Sequence, residues 1–113
     1  MRRARRARLV RKVPVSEEVI AYAVSLARNS RPASPEAPQP VKDYVAWGAG
    51  PRASQYLILG AKANAILDGR LAPSLDDVRK LALPVLRHRI ITNFNAEAAG
   101  VDSVEIINRL LAL

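Results

Sequence analysis

The stretch Trp47-Gly48-Ala49-Gly50-Pro51-Arg52-Ala53-Ser54-Gln55 opens the most apolar helix of this chain, and its reading decides the fold. Gly50 suits a helix N-cap and Pro51 the first helical position, where a missing N–H costs nothing and φ is already helical. Arg52 then takes the second position, beside unsatisfied N–H groups that carry about half a positive charge and repel a cation by roughly 0.3–1 kcal/mol. Two readings of Arg52 stay open on the residues alone. An anion such as phosphate would be held by the free N–H groups and the guanidinium fork together. Alternatively the side chain leans away toward Asp43 or solvent.

Downstream, Pro51 to Leu67 is apolar on more than one side, through Tyr56, Leu57, Ile58, Leu59, Ala61, Ala63, Ala65, Ile66 and Leu67, which predicts a central helix. Gly60 and the alanines predict close neighbours, and Gly69 a left-handed stop after Asp68. Ser74 and Asp77 have capping-box spacing and open a third helix, with Val78, Leu81 and Ala82 inward. Pro84 predicts that this helix ends or kinks near Leu83, with Val85 to Arg89 as a short continuation. His88 lacks a second His or Cys nearby and reads as structural; Arg87 and Arg89 read as solvated charges or as docking contacts, solvation being slightly favoured. Ile90 to Phe94 reads as a short strand pairing near Val45. After Gly100, Asp102 and Glu105 repeat the capping-box spacing, and Val104, Ile106, Ile107, Leu110 and Leu111 form the stripe of a fourth helix, about 103–111.

Upstream, Ser16 caps a first helix, Glu17–Asn29, whose stripe is Val19, Ile20, Ala23, Val24, Leu26 and Ala27. Arg31 to Pro40, with four prolines, reads as a loop, and Val41 to Trp47 as an extended or one-turn segment. Trp47 is expected to plug the core beside the turn rather than stack on a base. The expected architecture is all-α: a small four-helix bundle with a kinked third helix and one short strand pair.

The chain has 113 residues, half of them apolar and few aromatic, which suits one domain of tightly packed helices. It has no cysteine, so thiol catalysis, disulfides and cysteine-ligated zinc are excluded. No apolar run approaches the roughly 20 residues that cross a bilayer, so no membrane insertion is expected and cytoplasm is the default compartment. The net charge of +8 is uneven, because seven basic residues fall in the first twelve: Arg2, Arg3, Arg5, Arg6, Arg8, Arg11 and Lys12. The remaining residues carry eleven basic and ten acidic side chains. Residues 1–12 therefore read as a basic arm and 13–113 as the folded domain.

The run from Trp47 to Ile90 resembles the C-terminal lid domain of MoxR-type AAA+ ATPases. The likeness rests on the turn GAGPRAS at 48–54, the helix end ILDGR at 66–70, DDVR at 76–79 and LPVLRHRI at 83–90, in that order. VPVSEEVIAYAVSLARNSRP at 13–32 resembles the family's first lid helix. The Pro-rich loop and the arm are not carried over. The resemblance implies that Arg52 is the sensor 2 residue, reaching the γ-phosphate of ATP, with Gly48, Gly50 and Pro51 as its supporting turn. It implies ATP and Mg²⁺ as cofactors, bound only with an AAA+ core domain in the same or a split chain. It further implies a chaperone-like role, a hexameric enzyme and a von Willebrand factor A domain protein as partner. The sequence holds no G-x-x-x-x-G-K-[ST] loop and no strand ending in paired acids, so no hydrolysis is expected of this chain by itself.

The competing reading is a small helical module that binds nucleic acid or an acidic partner through the arm. The two differ in where the anion goes. Affinity for nucleic acid carried by the arm disappears, with most of its salt dependence, when Met1 to Lys12 are deleted; a mobility-shift series over increasing salt on the full and shortened chains is the check.

Overall fold

In the computed structural model, which describes residues 13–113, α1 (Glu17–Asn29), α2 (Gln39–Tyr44), β1 (Val45–Trp47), α3 (Pro51–Leu67), α4 (Leu75–Leu86), β2 (Ile91–Thr92), α5 (Phe94–Ala99) and α6 (Ser103–Leu111) follow one another. The arm residues lie outside the described part. The all-α expectation holds, with a two-stranded antiparallel ribbon as the only sheet among the described residues. In it Val45 pairs with Thr92 and Trp47 with Ile91.

α3 is central because its inward line, Ala53, Leu57, Ala61 and Ala65, repeats every four residues and is fully buried. Small side chains let α1 and α4 approach it from two sides. α1 contributes Val19, Ala23, Leu26 and Ala27, α4 contributes Val78, Ala82 and Leu86, and Ile106, Ile107 and Leu110 of α6 close the core. A Cβ built on Gly60 would stand 2.8 Å from Leu81 Cδ1, which is the close approach the glycine was expected to permit. Ile20 and Val24, assigned to the α1 stripe, lie at its solvent edge instead.

Caps set most boundaries. Ser16 Oγ accepts the Val19 N–H at 3.3 Å, and Asp102 Oδ1 accepts the Glu105 N–H at 2.9 Å. α3 ends in a Schellman turn: Gly69, at φ +74°, donates to Ile66 and Arg70 donates to the Ala65 carbonyl.

Of the two outcomes expected at Pro84, an end or a kink, the helix does not end: α4 continues through the proline to Leu86. The carbonyl of Lys80 that loses its partner belongs to an exposed residue, where water can satisfy it, and the continuing turn buries Leu86 completely. The Pro-rich loop stops sooner than expected, because Pro40 sits in the first turn of α2 and lacks only an N–H that turn leaves free. The strand read over Ile90 to Phe94 is two residues long. Asn93 then caps α5, accepting the Ala96 N–H at 3.0 Å while donating to the Asp43 carbonyl at 2.8 Å.

The turn between α3 and α4 is built on one buried carboxylate. Asp77, 1% exposed, accepts from Asn64 Nδ2 at 2.6 Å, from Arg70 Nη1 at 2.6 Å and from the Ser74 N–H at 2.7 Å. Arg70 also reaches Asp68 at 3.1 Å. The pairing with Arg70 holds the Asp77 carboxyl well below the usual carboxylate range, against the opposing effect of burial. A depressed folded-state value means that this stability is present above the unfolded value of about 4 and is lost as pH falls below it. Asp77→Asn is expected to cost about 1.5–3 kcal/mol near neutrality, the range for hydrogen bonds to a charged group. Thermal melts of both proteins from neutral pH downward should show a gap in Tm that is widest above about pH 5 and narrows below about pH 4.

Candidate functional site

The helix start expected at Gly50 is present: Gly50 is the N-cap, Pro51 the first and Arg52 the second residue of α3. Gly50 has φ −78° and ψ 178°, ordinary extended backbone, and a Cβ there would meet nothing within 4 Å. Neither space nor dihedral demands glycine. What glycine does is withhold a capping oxygen, so the Arg52 N–H at the helix start is kept for another acceptor. The Ala53 N–H turns back to the Gly50 carbonyl at 3.0 Å, whereas that of Arg52 has no acceptor among the described residues.

Arg52 itself is exposed and makes no ion pair among the described residues. Asp43, the carboxylate toward which it could have leaned, is bonded by Gln39 Nε2 at 2.8 Å instead. The cation thus stands at the positive end of a helix with no carboxylate paired to it among the described residues.

Two residues that the sequence did not single out hold this turn. Ser30, fully buried at the end of α1, accepts the Ala49 N–H at 2.9 Å and donates to the Ala27 carbonyl at 2.6 Å. Arg31 Nε donates to the Ala49 carbonyl at 2.7 Å. Both polar groups of Ala49 are therefore satisfied by the end of α1, and the Ala49 side chain is buried. Gly48 makes the contact possible. A Cβ on it would fall onto the Ser30 carbonyl oxygen and 2.6 Å from Arg31 Cα, so here the glycine is required by space. Gly48, Gly50 and Pro51 do form one turn under Arg52, yet they act differently: Gly48 anchors, Gly50 leaves a donor open and Pro51 starts the helix.

Trp47 is corrected. It is 71% exposed rather than a core plug, because the ribbon register breaks between Val45 and Trp47 and disrupts the alternation that would place both on one face. The core position beside the turn belongs to Ala49. Trp47 instead borders a shallow groove of about 310 Å³ with Arg31, Pro32, Gly48 and Gly50. Arg89 is also less free than expected: its guanidinium lies 4.7 Å above the Tyr56 ring, and Nη1 donates to the Val85 carbonyl at 2.7 Å. His88 is exposed just beyond α4, and no group of three or more potential metal ligands converges among the described residues.

Comparison with known proteins places this geometry. The family model of the AAA lid domain matches residues 37–110. Chaperone MoxR1 of Mycobacterium tuberculosis (strain ATCC 25618 / H37Rv) is 33% identical over 97 residues, which are 86% of this chain and 26% of that protein. A crystal structure of an ATPase candidate from Cytophaga hutchinsonii ATCC 33406 superposes with a TM-score of 0.85 at 33% identity, covering 93% of this chain and 32% of the other. The chain belongs to the AAA lid domain family. More narrowly, it is the C-terminal lid domain of a MoxR-type AAA+ ATPase. It spans about a quarter and a third of the lengths of these two relatives.

The two crowded glycines separate by what they touch. Gly48→Ala drives a methyl into backbone and should cost about 1–3 kcal/mol. Gly60→Ala meets Cδ1 and Cγ of half-buried Leu81, both at 2.8 Å, so that side chain must change rotamer, while up to about 1 kcal/mol is gained in helix propensity; its net cost should be smaller than that of Gly48→Ala. Urea unfolding of both variants is the measurement, with the lower midpoint for Gly48→Ala.

Proposed function

We propose that this lid completes the ATP site of an AAA+ core domain, with Arg52 as the sensor 2 arginine that contacts the γ-phosphate. The observation that carries the reading is the exposed guanidinium of Arg52 at an uncapped helix start, without a carboxylate partner, on a turn anchored to the end of α1. A terminal phosphate offers the oxygens that both the guanidinium and the free N–H of that turn lack. Mg²⁺ and the remaining phosphates are left to the core, since the turn at Arg52 brings donors and no group of three or more potential metal ligands converges among the described residues. Charge develops on the transferring phosphoryl oxygens, and a guanidinium fixed against them by a rigid helix stabilises it without reorganising. Because the turn is clamped to α1, contact at Arg52 shifts the lid as a body. Nucleotide state thereby becomes a conformational change of the chaperone-like kind suggested by the name of the Mycobacterium tuberculosis relative. A hexameric enzyme and a von Willebrand factor A domain partner are the assembly this reading expects.

The test is Arg52→Ala and Arg52→Lys in an enzyme where the lid is joined to its core. Alanine should lower turnover about a hundredfold or more, the scale of other preorganised donors at 2.7–4 kcal/mol. Lysine keeps the charge but not the planar fork and should recover only part. The Tm of the lid should stay level or rise slightly, since the helix dipole already opposes the cation. Unchanged turnover, or a Tm drop that accounts for the loss, would overturn the assignment. The 113-residue chain titrated with Mg-ATP in a calorimeter should bind no tighter than about millimolar.

A further inference from the structure

Charge is segregated along the bundle. α4 runs antiparallel to α3, since Asn64 bonds Asp77, Gly60 faces Leu81 and Tyr56 lies beneath Arg89. The end of α1 meets Gly48 and Ala49, before the start of α3, while Ser16 to Val19 border Ser74 to Asp76. The molecule therefore has two poles. One gathers Glu17, Glu18, Asp68, Asp76 and Asp77, with Arg70 paired to two of them. The other is made of residues 27–31, 46–56 and 85–92, which hold Arg28, Arg31, Arg52, Arg87, Arg89 and the single histidine; the carboxylate nearest to them in sequence, Asp43 ahead of the ribbon, is bonded by Gln39.

None of those five arginines is in an ion pair among the described residues. Arg31 and Arg89 are held by neutral acceptors, the carbonyls of Ala49 and Val85, which fix them in place and leave the charge whole. Tyr56 follows Arg52 by four residues and so shares its face of α3. The guanidinium of Arg89 above the Tyr56 ring consequently projects on the same side as Arg52. Gathering like charges at one pole is unfavourable unless something anionic meets it, and a concentrated field of this kind attracts a multivalent anion over a single charge.

We propose that this whole pole, and not Arg52 alone, is the docking face for the triphosphate-bearing surface of the ATPase core, with Arg31 and Arg89 as further phosphate-side contacts. This rests on the reading of the lid given above. The occupant follows from charge complementarity and from the share of the relatives, about two thirds to three quarters, that lies outside this chain. Exposed Trp47 and Ile91, paired across the ribbon at this pole, supply an apolar border at which a protein surface rather than free solute can seat.

The experiment follows the arginine Nε–Hε resonances of the full chain by NMR during titration with inorganic tripolyphosphate. Expected are concerted shifts of Arg31, Arg52 and Arg89 with one apparent Kd in the millimolar range, while Arg70, Arg79 and Arg109 stay in place. Because the readout is residue by residue, phosphate bound by the arm does not enter it. Arg89→Gln should weaken that Kd several-fold and Arg89→Lys restore most of it. A response confined to Arg52, or equal shifts of every arginine, overturns the proposal. So does a single-stranded oligonucleotide that binds this pole more tightly than tripolyphosphate and quenches Trp47 fluorescence, which would make the pole a nucleic-acid face. The sensor assignment fails separately, through unchanged turnover of Arg52→Ala in the assembled enzyme, an outcome that leaves the tripolyphosphate shifts untouched.

Discussion

A helix whose buried face is Ala53, Leu57, Ala61 and Ala65 can be packed very closely but has little side-chain relief with which to set its own position. Burying a methyl yields about 0.8 kcal/mol, against 1.5–3 for a full aliphatic side chain. The register of α3 therefore depends on how its two ends are gripped. At the C-terminal end the grip is electrostatic, with the buried Asp77 carboxylate drawing together Asn64 of the helix, Arg70 of the turn and Ser74 at the start of α4. At the N-terminal end it is steric and neutral, the Gly48–Ala49 backbone lying against Ser30 and Arg31.

The two grips do different things for function. The carboxylate fastens α3 to α4 and absorbs the positive charge of Arg70, so the acidic pole closes on itself. The Ser30–Ala49 contact fastens α3 to α1 with hydrogen bonds that consume no charge, so the arginines around it stay available. On the proposed reading, a lid that turns as one piece while presenting cations to a phosphate uses both properties. Here they are separated by the length of one helix.

The features that local reading missed or left open have a common cause. Trp47, the continuation of α4 through Pro84, and the short helices α2 and α5 all turn on what lies next to a segment rather than within it. An apolar Trp next to a buried turn reads as core, yet one irregularity in a three-residue strand disrupts its placement, and an alanine two residues later fills the space. Proline reads as a helix end or kink, and the helix continues because the carbonyl it orphans sits at an exposed residue, where hydration makes the loss cheap beside the burial of Leu86. Helices of six residues carry too few turns for a periodic signal to stand out, and α5 is recognisable only once Asn93 is seen capping it.

Local signals along the chain were enough for the helical class, the ends of α1, α3 and α6, the left-handed glycine at 69, and the place of Arg52 at a helix start. These are local properties, written in caps, periodicity and the conformational freedom of glycine within a few residues of one another. The motifs also carried the family likeness. Only the tertiary structure decided that Ser30 and Arg31 hold the turn, that Gly48 rather than Gly50 is the glycine demanded by space, that Arg70 pairs with Asp77, and that five arginines from three separate segments share one pole. Each of those joins residues brought together by the antiparallel packing of α3 against its neighbours, and contacts made across a bundle leave no periodic trace along the chain.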